Sequence, residues 1–203
     1  MNTALLSSRH RNGFSLLELL TVIAIVGILV GLVMMAPALL RTSSLATAGN
    51  SVVEDLAYAR ELATTGNQPT EIWFLQPGAG GAFTGVQIYT VDQAGKSVAY
   101  GAVHHLPPSI GMDSGALSPL LNAGTQQQWT SSQPQVPIPG YGLNYNVWFI
   151  RFKPDGSTTL ATTRNWWITL HDIALGDGLV SLPPNYAIVG MDPVTGAVSL
   201  YRP

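Results

Sequence analysis

The longest apolar run of the chain covers residues 19–40, which are 22 consecutive residues without a charged side chain. As a helix this run would extend about 33 Å, close to the thickness of a bilayer core. Arg9 and Arg11 precede the run, and Arg41 follows it. By the positive-inside rule, this arrangement predicts a membrane-spanning helix with a cytoplasmic N terminus and the remaining chain on the other side.

The next pattern predicts an amphipathic helix over residues 51–65. Four apolar residues recur there at steps of four, three and four: Val52, Leu56, Ala59 and Ala63. Such a stripe is typical of a helix that packs on one side. Gly49 weakens a continuation from the first helix, and the S-x-x-E spacing of Ser51 and Glu54 is typical of a capping box, so we expect the helix to restart at Ser51. Gly66 then ends it.

Residues 67–203 predict a β-rich domain in which short β-branched and aromatic runs alternate with turn residues. These runs are 71–75, 86–91, 98–103, 146–152, 158–161, 166–171, 186–191 and 197–201. The predicted fold class is α+β, with a long N-terminal hydrophobic helix packed on a mostly antiparallel sheet or sandwich. Residues 107–145 show little periodicity and predict an irregular surface insertion, either a contact surface between subunits or a mobile loop.

Composition narrows the possible functions. Charged residues make up 10 % of the chain and mean hydropathy is +0.24, which excludes a disordered tail. No cysteine is present, so disulfides, thiol catalysis and lipid attachment through cysteine are excluded. Without Arg9 and Arg11, seven basic residues face eleven acidic ones, a net charge of −4. This balance argues against nucleic acid as a partner.

No group of residues predicts an active site. The titratable residues considered are His104, His105, His171, Asp172, Asp177 and Asp192. The adjacent histidines would face opposite ways in a strand and would not bind one metal, and His171–Asp172 reads as a simple hydrogen-bonded pair. The aspartates lack the spacing of a calcium loop. We therefore expect no catalytic residue, no metal and no cofactor, and we do not expect an enzyme.

Glu18 is the one carboxylate at the start of the apolar segment, where an unpaired charge is costly. A secretory signal peptide is one interpretation, because residues 36–38 read A-P-A, but its apolar core would be about 7–15 residues long. A plain transmembrane anchor fits the length and leaves Glu18 unexplained. Gly27 and Gly31 form a G-x-x-x-G pattern, which allows close helix packing in lipid.

Residues 13–18 read GFSLLE and are followed by an unbroken apolar run. This stretch resembles the processing site of type IV prepilins and type II secretion pseudopilins. The resemblance implies cleavage after Gly13 by prepilin peptidase, N-methylation of the new N terminus at Phe14, and a role in assembly for Glu18. It divides the chain into a leader at residues 1–13, a helix at 14–66 and a globular head at 67–203.

The family resemblance implies a subunit, most simply a minor one, of a type IV pilus or a type II secretion pseudopilus. Its partners would be prepilin peptidase, other pilin or pseudopilin subunits and an assembly platform in the bacterial inner membrane. The globular domain would lie in the periplasm or outside the cell. The alternative function is a membrane-anchored β-domain that binds a partner at the cell envelope without polymerising.

Three shorter stretches add weaker resemblances. Leu56, Ala59, Arg60 and Ala63 match the L-x-x-A-R-x-x-A pattern at the helix end of H-type minor pseudopilins and FimT-like pilins. Residues 152–156, FKPDG, resemble the F-x-P-x-G turn of H-type domains. Residues 191–203 are similar to the C-terminal end of prepilin-like cassette proteins found in Verrucomicrobia.

Overall fold

A computed structural model describes residues 15–122 and 136–203, and side chains within that range are described except for residues 32–42. The chain forms two units, residues 1–40 and residues 41–203. Helix α1 covers Leu16–Thr65. The strands are β1 Thr70–Pro77, β2 Gly85–Val91, β3 Ser97–His105, β4 Ile110–Met112, β5 Tyr145–Phe152, β6 Trp166–Asp172, β7 Tyr186–Met191 and β8 Val198–Tyr201. A 3₁₀ turn, Ile173–Leu175, follows β6.

The predicted restart of the helix at Ser51 is wrong, because α1 passes through this position without interruption. The Ser51 hydroxyl donates to the Ala48 carbonyl at 3.0 Å, which is a bond inside a helix and not a capping bond. Gly49 is kept in the helix by tertiary packing. A Cβ at this position would lie 2.9 Å from Leu200 Cδ1 and 3.7 Å from Ala187 Cβ, so the bare backbone leaves room for β8.

The first sheet has the strand order β3-β2-β1-β5, and all its neighbouring strands are antiparallel. Ile72 in the central strand lies opposite Ile88 on one side and Ile150 on the other. Residues of β1 alternate between the two faces. Ile72 and Phe74 enter the main core, while Trp73 and Leu75 belong to a second apolar cluster on the opposite face.

The second sheet has the order β4-β6-β7-β8 and is also antiparallel. Its strand β4 lies inside residues 107–145, so the prediction of an irregular insertion there is wrong at this point. The strand is short, and only its pairing with β6 and the bridge between Phe83 and Met112 identify it. Conversely, residues 158–161 form no strand and make only a bridge from Thr158 to Phe152.

One core joins the helix to both sheets within residues 41–203. The predicted stripe of α1 is buried, and Val52, Leu56, Ala59 and Ala63 are each no more than 1 % exposed. These side chains share a cluster with one face of each sheet. The predicted α+β class, a helix packed on antiparallel sheets, is therefore confirmed. The division of the chain at residues 13 and 66 stays a prediction.

Candidate functional site

The first candidate site is the start of α1. Gly13 and Phe14 lie outside the described residues. Glu18 lies in the first turn of the helix and is exposed. Its backbone carbonyl accepts a hydrogen bond from the Thr21 hydroxyl at 2.9 Å, and the assembly role of its carboxylate stays a prediction.

The side chains around Glu18 form an apolar surface that no other part of the described unit covers. Residues 15–31 are all exposed, and Leu16 reaches 81 %. At Gly27 and Gly31 an added Cβ would find no atom within 4 Å. The predicted small-residue face is therefore open, and its helix-packing role stays a prediction.

Among residues 15–122 and 136–203, no helix meets the length and apolarity required of a membrane span. The span predicted at residues 19–40 is not confirmed.

The end of α1 forms a second candidate site, which we name the helix-end contact. Arg60 Nε donates to the Gly156 carbonyl at 3.4 Å. A Cβ added at Gly156 would lie 3.2 Å from Arg60 Nε, and a Cβ added at Gly196 would lie at the same distance. Both turns therefore pack on the Arg60 side chain. The sequence singled out Arg60, the turn at residues 152–156 and the C-terminal segment 191–203 separately, and the structure brings parts of all three together. The contact holds two loops of the domain on the helix.

A buried polar cluster that the sequence did not predict lies beside β6. Asp113 and His171 are both fully buried, and His171 Nε2 lies 3.5 Å from Asp113 Oδ1. Asp113 accepts backbone N–H bonds from Gly115 at 2.9 Å and Leu179 at 3.0 Å. Of the predicted His171–Asp172 pair, the structure shows a bond to the backbone, with His171 Nδ1 at 2.9 Å from the Asp172 carbonyl oxygen.

The charges in this cluster support one another. Burial alone would raise the pKa of Asp113, but the nearby His171 ring and the hydrogen bonds from the Leu179 and Gly115 N–H groups bring that pKa below its ordinary value. Burial likewise opposes the charged form of His171, but Asp113 and the Asp172 carbonyl raise the pKa of His171 above its ordinary value. Both shifts favour the charged forms of the two side chains, and the Leu179 N–H bond to Asp113 ties the loop after β6 to this cluster.

The other two described histidines have separate partners. His104 Nδ1 contacts Asp55 Oδ2 at 2.6 Å and connects β3 to α1. Burial raises the pKa of Asp55, and the contact with His104 partly opposes that rise. The ring of His105 stacks on Tyr141, with centroids 5.5 Å apart. The adjacent histidines thus point to different neighbours, as expected for consecutive strand residues.

Asp172, Asp177 and Asp192 each accept hydrogen bonds from a different loop, which is not the arrangement of a calcium site. Asp172 accepts from the Ala174 N–H, Asp177 accepts from both Ser114 N and Ser114 Oγ, and Asp192 accepts from Val194 and Thr195. Within the described residues, no group of three or more acidic, histidine or cysteine side chains has the geometry of a metal site.

Comparison with known proteins supports the interpretation of the N terminus. Residues 8–34 match the family model of the prokaryotic N-terminal methylation motif. The match includes Gly13, Phe14 and Glu18. This finding supports the resemblance drawn from the sequence: the chain carries a prepilin-type N-terminal methylation motif at these residues.

Two solved structures are similar to the chain, and both are of the minor pseudopilin EpsH from the type 2 secretion system of Vibrio cholerae. The first has 10 % sequence identity, covers 79 % of this chain and 98 % of its own, and gives a TM-score of 0.46. The second has 10 % identity, covers 80 % and 96 % respectively, and gives a TM-score of 0.43. No curated protein matches the sequence at a significant level.

Proposed function

We propose that this protein is a minor subunit of a type IV pilus or a type II secretion pseudopilus, with a structural and not an enzymatic role. The observation that carries this proposal is the methylation motif at residues 8–34, which leads directly into an exposed apolar helix. An exposed apolar surface of this kind needs lipid or other protein around it. The membrane would surround the helix before assembly, and the helices of neighbouring subunits would cover it in the filament.

In the proposed mechanism, cleavage after Gly13 creates an amine at Phe14, four residues before Glu18. An unpaired carboxylate in hydrocarbon costs about 2.5–3.5 kcal/mol. Pairing it with the amine of a neighbouring subunit at about 4 Å returns about 4 kcal/mol at an effective dielectric near 20. The pair therefore favours one axial register between subunits. Gly27 and Gly31 would let two helices approach closely along the same segment.

The proposed location follows from the motif and the charge pattern. The N-terminal helix would be anchored in the bacterial inner membrane with its start in the cytoplasm, and the β-rich head would lie in the periplasm or outside the cell. The implied partners are prepilin peptidase, other pilin or pseudopilin subunits and an inner-membrane assembly platform.

The proposal is tested in two stages. The full chain is expressed with and without a prepilin peptidase, and the N terminus is measured by mass spectrometry. We expect an N-methylated Phe14 only in the presence of the peptidase. An intact Met1 in both samples would refute processing and favour a non-polymerising membrane-anchored domain.

The second stage measures incorporation of the processed chain into filaments. Glu18→Val should abolish or strongly reduce incorporation, while Thr21→Val, which removes another polar side chain from the same turn, should not. Normal processing and normal incorporation of the Glu18→Val variant would overturn the pairing step while leaving the motif assignment intact.

A further inference from the structure

Among the strands of residues 15–122 and 136–203, none pairs with the outer edge of β3 in the first sheet. Strand β3 is the outermost strand in the order β3-β2-β1-β5, and residues 98–102 are all exposed. Val98 is 48 % exposed and Tyr100 is 42 % exposed. An edge strand presents unpaired backbone N–H and C=O groups, and proteins usually protect such an edge with charges, proline or a bulge. Residues 97–105 carry no lysine, acid or proline.

A bulge protects only the second half of this edge. The pairing between β2 and β3 shifts between Val86 and Ile88, and Gly101 adopts a positive φ of 75°. The Gln87 side-chain amide donates to the Gly101 carbonyl at 3.1 Å and satisfies the disrupted backbone there. Residues 97–100, in contrast, pair regularly with β2 on one side, so their other side can accept a further strand.

The helix beside this open edge adds an aromatic and acidic surface. Tyr58 on α1 is 44 % exposed, and its ring centroid lies 6.2 Å from that of Tyr100. Glu54 and Glu61 are exposed and lie one turn to either side of Tyr58 on the same helix face. A cationic side chain over a tyrosine ring and beside a carboxylate gains from both contacts.

We propose that residues 97–100 and the α1 face around Tyr58 form a docking surface for an extended, basic segment of a partner protein. The segment adds to β3 as a strand and places lysine or arginine side chains against Tyr58, Tyr100 and the two glutamates. This mode of recognition takes affinity from main-chain bonds and specificity from alternate side chains. The proposal goes beyond filament assembly and does not depend on it.

The charges around the surface favour a basic partner over a second copy of the same edge. The titratable groups that face Tyr58 are Tyr100 on β3 and Glu61 on α1, with Glu54 one helical turn earlier, while Asp55 is already in contact with His104. Self-pairing of two β3 edges would bring the two acidic helix faces towards each other. Lys96 lies in the turn before β3 and belongs to the end of the surface.

The test uses the full chain in detergent micelles and two synthetic peptides. Both peptides are octapeptides of alternating valine and threonine with blocked ends. One carries two arginines two positions apart, so that both project from the same face of a strand, and the other carries glutamates at these two positions. Backbone amide NMR spectra are recorded during titration at low salt. We expect saturable shifts at residues 97–100 with the arginine peptide, and about fivefold weaker binding with the glutamate peptide.

Variants locate the binding determinants. Glu54→Gln combined with Glu61→Gln should weaken the arginine peptide about fivefold, while Lys153→Gln, a single charge change in the turn after β5, should leave its affinity unchanged. Tyr58→Ala should weaken binding and Tyr58→Phe should retain it. Unchanged spectra elsewhere show that each variant is folded.

Three results would overturn the proposal. Equal binding of the two peptides, shifts centred away from residues 97–100, or dimerisation of the chain through β3 in sedimentation at the same detergent concentration would each do so. The last result would assign the edge to a second copy.

Discussion

Gly196 offers a sharp test of how the helix end is held. It adopts φ +66°, and an added Cβ would lie 2.3 Å from the Gly156 carbonyl oxygen and 3.1 Å from Arg60 Cδ. An alanine in the left-handed region costs about 1–2 kcal/mol by itself. The contact with the Gly156 backbone forces a shift of one turn and costs about 1–3 kcal/mol more. Gly196→Ala should therefore lower the free energy of unfolding by about 2–5 kcal/mol.

Gly95 supplies the matched control. It lies in another hairpin loop, where Gly95 N–H donates to the Asp92 carbonyl three residues earlier, whereas Gly196 N–H donates to the Asp192 carbonyl four residues earlier, both at 2.9 Å. Its φ is +78°, but an added Cβ would meet no atom within 4 Å. Gly95→Ala should therefore cost only the backbone term of about 1–2 kcal/mol.

The assay is urea unfolding of the full chain in detergent, followed by tryptophan fluorescence, for both alanine variants and both asparagine variants. Asparagine tolerates the left-handed region, so Gly95→Asn should be close to neutral while Gly196→Asn keeps the cost of the contact. If the free energy of unfolding falls equally at the two positions, Gly196 is required only for its backbone conformation, and the helix-end contact does not hold the turns.

Three further predictions concern the core. The raised pKa of His171 contributes stability that is complete below its ordinary pKa, about 6.5, and is lost as pH rises through the higher folded value. Urea midpoints should therefore fall as pH rises above about 6.5, and this dependence should flatten in His171→Gln. Arg151→Ala should lower the free energy of unfolding by about 2–4 kcal/mol, because it leaves Glu71, which is 2 % exposed, without its cationic partner. Lys153→Ala, measured in parallel, should change this free energy by no more than about 0.5 kcal/mol. Leu56→Ala should cost about 2–5 kcal/mol by opening a cavity between α1 and the sheets, and a loss below about 1 kcal/mol in thermal unfolding would contradict that packing.

Much of the fold could be predicted because its signals are local. The stripe of α1, the turn at residues 152–156, and seven of the eight strands follow from periodicity and turn residues close together in the chain. The prediction failed where tertiary contacts override local preference. Gly49 stays helical because β8 packs on it, and β4 is a strand because β6 supplies its hydrogen bonds.

The sequence by itself determined the prepilin-like N terminus, since the recognition of Gly13, Phe14 and Glu18 depends on consecutive residues and on an apolar run. The tertiary structure alone decided which distant groups meet. It placed Arg60 on a turn 96 residues away, and it left β3 at an open edge beside Tyr58. Strand order and register depend on non-local pairings whose partners no local pattern specifies, so the surfaces of this domain appear only in the folded chain.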